Sequence, residues 1–112
     1  MFIVKQTQSY FWPVKVEFPI DDGKFAKQTF DAEFKRLPES RIKEIGKLLE
    51  TGDITDLDLA KEILVGWKDV SDGENEVTFS ENSKEKLLEI PLVAKAVILG
   101  FFESLSGAKR KN

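Results

Sequence analysis

The sequence predicts an α+β fold, mainly helical, in which an N-terminal antiparallel β-hairpin packs on about four helices. Three observations carry this expectation. Apolar and polar residues alternate with period two in Val14–Phe18 and again in Phe30–Lys35, on either side of an Asp-Asp-Gly turn. From Ile42 onward the apolar residues recur at helical spacing. Capping residues and glycines then divide that helical part into segments of ordinary length.

The elements follow in order. In Val14-Lys15-Val16-Glu17-Phe18 the apolar side chains share one face, and Phe30, Ala32 and Phe34 do the same on the second strand. Asp21-Asp22-Gly23-Lys24 joins the two strands, with Gly23 available for a positive φ. A lone hairpin is marginal in water, so helices are expected to cover its apolar face. Pro38 and Glu39 open the first helix, Ile42, Ile45, Leu48 and Leu49 form its stripe, and Gly52 sits where a C′ residue belongs. Thr55 is the expected N-cap of a second helix, with Ile54 and Leu59 as a hydrophobic staple. Leu59, Ile63, Leu64 and Trp67 are expected on its core face. Asp69 to Glu76 reads as a polar loop leading to a short extended piece, Val77-Thr78-Phe79. Ser80 is placed to cap a helix of about two turns ending near Glu89 or Ile90. Pro91 suits the first position of a final helix that runs to about Leu105 and stops at Ser106-Gly107.

With 112 residues, the chain is expected to form a single domain, 1–112, with residues 1–9 and 106–112 as frayed termini. Hydrophobic residues make up 41%, including 9 Phe and 2 Trp, enough for a core without a disulfide or a metal. There is no Cys and no His, so thiolate chemistry, zinc–sulfur sites and the commonest general base near neutral pH are all absent. The expectation is a protein that is not an enzyme and carries no cofactor. Ser–Lys or all-carboxylate chemistry is the remaining enzymatic alternative, and no spacing supports it. A net charge of −3 gives no basic face for nucleic acid. The longest apolar run, Ala96 to Phe102, is too short to span a bilayer, and Met1-Phe2-Ile3-Val4 is too short for a secretory signal. No membrane or nucleic-acid partner is expected, and the cytoplasm is the expected compartment.

The acidic loop from Asp69 to Ser80 has the length of a calcium loop but fails its pattern. Gly73 comes one place early, and Ser80 stands where a bidentate Glu is required. Asp21 and Asp22 are explained by the turn, and Asp53, Asp56 and Asp58 by helix capping. Trp12, beside Tyr10 and Phe11, is either an aromatic binding platform or a ring packed over the open end of the hairpin.

The final helix is the informative element. Leu92, Val93, Ala96, Leu99 and Phe102 form one face, and Val97, Ile98, Phe101 and Leu105 extend the apolar arc well around the cylinder. A helix apolar nearly all round must be covered on most sides. Either the other helices wrap it, or one side docks a partner or a second copy. On the second reading Val97, Ile98, Phe101, Phe102, Leu105 and Trp12 are the expected protein-binding residues, and Phe101→Asp is expected to abolish binding while leaving helix content near normal.

Several segments together resemble a known family. They are Phe11-Trp12-Pro13-Val14-Lys15-Val16, Pro19-Ile20-Asp21-Asp22-Gly23-Lys24, Phe30-Asp31-Ala32-Glu33-Phe34-Lys35-Arg36-Leu37, Val65-Gly66-Trp67-Lys68-Asp69-Val70, and Phe79-Ser80-Glu81-Asn82 followed by Leu87-Leu88. In this order they are similar to the tail assembly chaperones of long-tailed, lambda-like bacteriophages and prophages, over roughly residues 10–105. The resemblance implies a non-enzymatic chaperone in the cytoplasm of the infected bacterial host. It implies binding to the tape measure protein, a very long helical chain kept soluble until tail-tube protein polymerises around it. It further implies self-association into a homo-oligomer, absence from the mature virion, and a longer product made by ribosomal frameshifting. An Arg110 codon AGA would place a slippery A-AAA-AAC heptamer over Arg110-Lys111-Asn112. The alternative is another phage morphogenesis or structural protein, such as a head–tail connector or tail-tube component.

Overall fold

The computed structural model describes residues 1–107. It is an α+β fold: a three-stranded antiparallel sheet in the order β1-β2-β3, with four helices. Strands β1 (Ser9–Ile20) and β2 (Lys24–Lys35) form a long hairpin, paired from Ser9↔Lys35 to Ile20↔Lys24. The alternation decides which face is buried. Val14, Val16, Phe30, Ala32 and Phe34 are all in the core, and Phe18 is half-buried beside them. At the turn, Asp22 (φ 64°) and Gly23 (φ 70°) both take left-handed conformations, which an Asp-Gly pair accommodates, and Lys24 N–H donates to Asp21 O. Pro13 and Pro19 lie in β1. Neither can donate to a ladder, which suits the edge position that β1 occupies.

The helical part begins as expected. Helix α1 (Glu39–Thr51) follows Pro38 and ends at Gly52, whose φ of 77° places it in the left-handed C-terminal cap. Helix α2 (Asp56–Ile63) is capped by the Thr55 side chain, which accepts from Asp58 N–H at 3.0 Å. The second helix is shorter than its periodicity predicts, however. Leu64–Lys68 leave it to form β3, paired with β2 through Asp31↔Lys68, Ala32↔Trp67 and Glu33↔Gly66. The physical reason is local and tertiary at once. Val65, Gly66 and Trp67 are weak helix formers, and the open edge of β2 offers each backbone group a partner. A bulge between Glu33 and Phe34 lets Leu64 oppose Phe34 while Trp67 opposes Ala32. Both remain on the core face, as the helical reading also required. Gly66 sits under Glu33, where a Cβ would come within 3.2 Å of the Glu33 Cβ.

Asp69 to Phe79 forms a loop without a strand at Val77–Phe79. Its contact with the domain runs through Trp67, whose indole N–H donates to Val77 O at 2.8 Å and whose ring meets Phe79 edge-on at 4.9 Å. Helix α3 (Glu81–Glu89) starts at a reciprocal capping box between Ser80 and Ser83. Helix α4 (Val93–Ser106) starts two residues later than Pro91 suggests. Ile90-Pro91-Leu92-Val93 is a type II turn, with Val93 N–H donating to Ile90 O and Leu92 at φ 77°, ψ −13°. Gly107 follows the last turn of α4 with φ 54°. The basic cluster Lys109-Arg110-Lys111 lies outside the described residues.

Helix α1 is tied to α2 by a bidentate ion pair. Arg41 donates from Nε and Nη2 to the two carboxylate oxygens of Glu62, at 2.9 and 2.7 Å. This guanidinium holds the Glu62 carboxyl below the ordinary range, against an opposing push from partial burial. A lowered folded-state value means that the pair stabilises the fold above the ordinary glutamate pKa and loses that contribution as pH falls through the depressed value. Thermal unfolding followed from pH 6 down to pH 2 should therefore show a melting temperature that declines on acidification. In Arg41→Gln the same decline should be shallower, because the variant starts without the pair. Partial solvent screening keeps this effect small.

Candidate protein-interaction surfaces

Helix α4 lies across the sheet with α2 and α3 beside it, and this decides which of its residues are buried and which are exposed. Val97, Ile98 and Phe101, expected at an exposed docking face, are buried. Phe101 is only 1% exposed and packs edge-on against Phe34, with ring centroids 5.4 Å apart. Gly100 lets the helix approach β1 closely, since a Cβ there would lie 3.1 Å from a methyl of Val14. The apolar arc is thus covered within one subunit on its widest side. Phe102 is half-buried, stacked edge-on against Phe101 at 5.5 Å. Of the expected residues only Leu105, at 45% exposure, stands well out of the surface.

Trp12 is half-buried on the core face of β1, opposite Ala32. Its indole N–H points to a Glu103 carboxylate oxygen at 3.4 Å, so the ring closes the gap between strand and helix. At the start of the same strand, the Tyr10 hydroxyl donates to Ser104 Oγ at 2.6 Å, and Ser104 in turn donates to Phe101 O. These bonds fix the C-terminal half of α4 to β1.

Two surfaces result. The first is a cleft of about 790 Å³ at the C-terminal end of α4, between that helix, the stretch from Gln6 to Tyr10, the end of β2 and the start of α1. Phe101 lies at its base, with Leu37, Ile42, Val65 and Leu105 along its walls. Val65 and Leu105 are both exposed. Lys35 and Arg36 stand on its rim, the Arg36 guanidinium 4.8 Å above the Tyr10 ring. The second surface is the outward side of α4, where Leu99 is 64% exposed, together with Leu92 in the turn just before the helix, at 47%. Leu92 and Leu99 were not singled out as binding residues, although the sequence contains the signal. Lys95 and Glu103 are the strongly polar positions of the helix, and Leu99 lies midway between them, hence on the solvent side.

Among the described residues, no group of three or more acidic side chains is placed to hold a metal ion, and no helix is long and apolar enough to cross a membrane. Comparison of the chain with known protein families, with curated proteins and with solved structures finds no match.

Proposed function

We propose that this protein is a tail assembly chaperone of a long-tailed phage or prophage, one that binds the tape measure protein in the host cytoplasm and keeps it soluble while tail-tube protein assembles around it. The observation that carries the reading is the cleft at the end of α4, where exposed Leu105 and Val65 flank a floor that includes Phe101. An open groove that combines apolar residues with the polar stretch Gln6 to Ser9 and the cations Lys35 and Arg36 suits one face of an amphipathic helix whose apolar stripe is bordered by polar groups and carboxylates. On this reading the partner is a very long helical chain, unprotected before assembly, and covering its apolar faces needs affinity but no catalysis. The order of sequence segments set out above supports the same assignment, and a chain without His or Cys is consistent with it.

The test is co-purification with the tape measure protein of the same phage or prophage. Leu105→Asp combined with Val65→Asp places two carboxylates in the cleft at already exposed positions, so the fold should survive. Binding is expected to fall by at least roughly tenfold, from lost apolar burial together with repulsion of an acidic-bordered helix. Unchanged capture by this folded variant would refute the cleft as the docking site. A head–tail connector or tail-tube component would persist in purified particles, whereas a chaperone should be missing from their mass spectra.

A further inference from the structure

We propose that Phe2-Ile3-Val4 is a strap that folds onto the cleft at the end of α4 and covers it until a partner displaces it. The competition with a partner rests on the reading of the cleft as a docking site, whereas the closure itself is a property of this chain alone. Met1-Phe2-Ile3-Val4 is the one run of consecutive exposed large apolar residues among the described residues, with Phe2 at 81%, Ile3 at 66% and Val4 at 86% exposure. Single exposed apolar residues are ordinary, but a contiguous run marks a contact surface. The residues that follow it lead straight into the cleft, which Gln6, Thr7, Gln8, Ser9 and Tyr10 all line.

The base of the strap is fixed at the cleft wall. Arg36 N–H donates to Gln8 O at 2.9 Å, and Arg36 Nε donates to Thr7 Oγ1 at 3.3 Å. Before Thr7 the chain bends at Val4, where the Gln6 side-chain amide donates to Ile3 O at 2.7 Å. That bond is exposed, so opening it exchanges it for bonds to water at little cost. An extended chain advances about 3.3 Å per residue, so Phe2 can reach about 13 Å from Gln6, far enough to enter the cleft. Exposed Leu105 and Val65 line the same cleft and offer apolar surface to the strap. Lys5 is exposed and has a long stem, so closure leaves its ammonium in water, clear of the rim cations Lys35 and Arg36. The structure shows the strap open. Closing it gains the burial of three apolar side chains and costs the ordering of a few residues, opposing terms of similar size, so both forms are populated. A ligand that fills the cleft binds only the open form, and its apparent affinity falls by the open fraction.

The chain has no cysteine, so one introduced thiol reports on the cleft. Val65→Cys in the full chain is treated with a chromogenic disulfide reagent, once with the natural strap and once with Phe2→Ser, Ile3→Ser and Val4→Ser combined. A strap closed about three quarters of the time should slow the thiol about fourfold, a protection that the serine strap loses. The rim cations that tune thiol reactivity are common to both proteins, so the ratio of rates reads access. A thiol at Lys24→Cys, at the other end of the hairpin, should react at one rate with either strap. Equal rates at position 65 would overturn the proposal. With Val65 intact, the serine strap should raise affinity for the tape measure protein of the same phage or prophage about fourfold, and equal or weaker capture would overturn the competition. If the thiol is protected but neither strap variant captures that protein, the chaperone reading fails and the strap stands.

Discussion

Phe101→Asp is expected to abolish cooperative folding, not merely partner binding. The ring is buried and sits at the centre of an aromatic chain, with Tyr10 edge-on to Phe34 at 6.0 Å, Phe34 to Phe101 at 5.4 Å and Phe101 to Phe102 at 5.5 Å. Removing such a ring costs about 3–5 kcal/mol through lost transfer energy and the cavity left behind. A carboxylate in its place adds several kcal/mol more, either as an unpaired buried charge or as the penalty for protonating it. The sum is comparable with the whole stability of a domain this size, about 5–15 kcal/mol. Far-UV circular dichroism at 25 °C should show a largely unfolded chain without a sigmoidal melt, while Leu105→Asp, one turn further along and exposed, should melt like the parent. Native-like melting of Phe101→Asp would mean that α4 does not pack on the sheet as described. The consequence for interaction studies is direct. Loss of binding in a Phe101 variant reports on the core, whereas substitutions at exposed positions such as Leu92, Val65, Leu99 or Leu105 probe the surface.

The reason this distinction was hidden in the sequence is geometric. Periodicity shows that α4 is apolar over most of its circumference, but not which neighbours cover which side. Val97, Ile98 and Phe101 belong to the covered side because β1, α2 and α3 all converge on it. The two charged positions, Lys95 and Glu103, did mark the solvent side, and weighing them above the number of apolar residues would have selected Leu99. The hairpin was legible because alternation and an Asp-Gly turn agree with each other. The caps of α1, α2 and α3 were legible because capping is local chemistry, decided within four residues. Strand β3 was not legible. Leu59, Ile63, Leu64 and Trp67 satisfy a helical stripe, and the same Leu64 and Trp67 satisfy the inward face of a bulged strand. Only the free edge of β2, some thirty residues earlier in the chain, decides between them. The cleft at the end of α4 was out of reach for a similar reason, since Leu37 in the loop before α1, Val65 in β3 and Leu105 in α4 share no spacing that a sequence pattern can register.

Lys84 shows how the switch from α2 to β3 is held in place, and its replacement carries the second large expected effect. This lysine is only 7% exposed, and its ammonium group donates to Lys61 O at 3.0 Å and Leu64 O at 3.2 Å, with the Glu81 carboxylate at 3.6 Å. Lys61 O lies in the last turn of α2, where carbonyls lack helical partners and the negative end of the helix dipole attracts a cation. Leu64 is the residue at which the chain leaves the helix and joins the sheet. A single cation thus bridges the end of one element and the start of the next from a third, α3, while its hydrocarbon stem fills space between them. Lys84→Met preserves the stem and removes the donor, leaving two carbonyls without it, and should destabilise the fold by about 1–3 kcal/mol. Lys84→Ala also removes the stem and should cost about 2–5 kcal/mol. Urea denaturation of the three proteins should rank them parent, Met, Ala, with nearly equal slopes if unfolding stays two-state. Amide hydrogen exchange adds a local readout. If the cation fixes the α2–β3 junction, the Met variant should lose protection first at Leu64 and Val65, ahead of the β1–β2 hairpin. Uniform loss across the sheet would instead mean that Lys84 contributes bulk stability without defining the boundary between helix and strand.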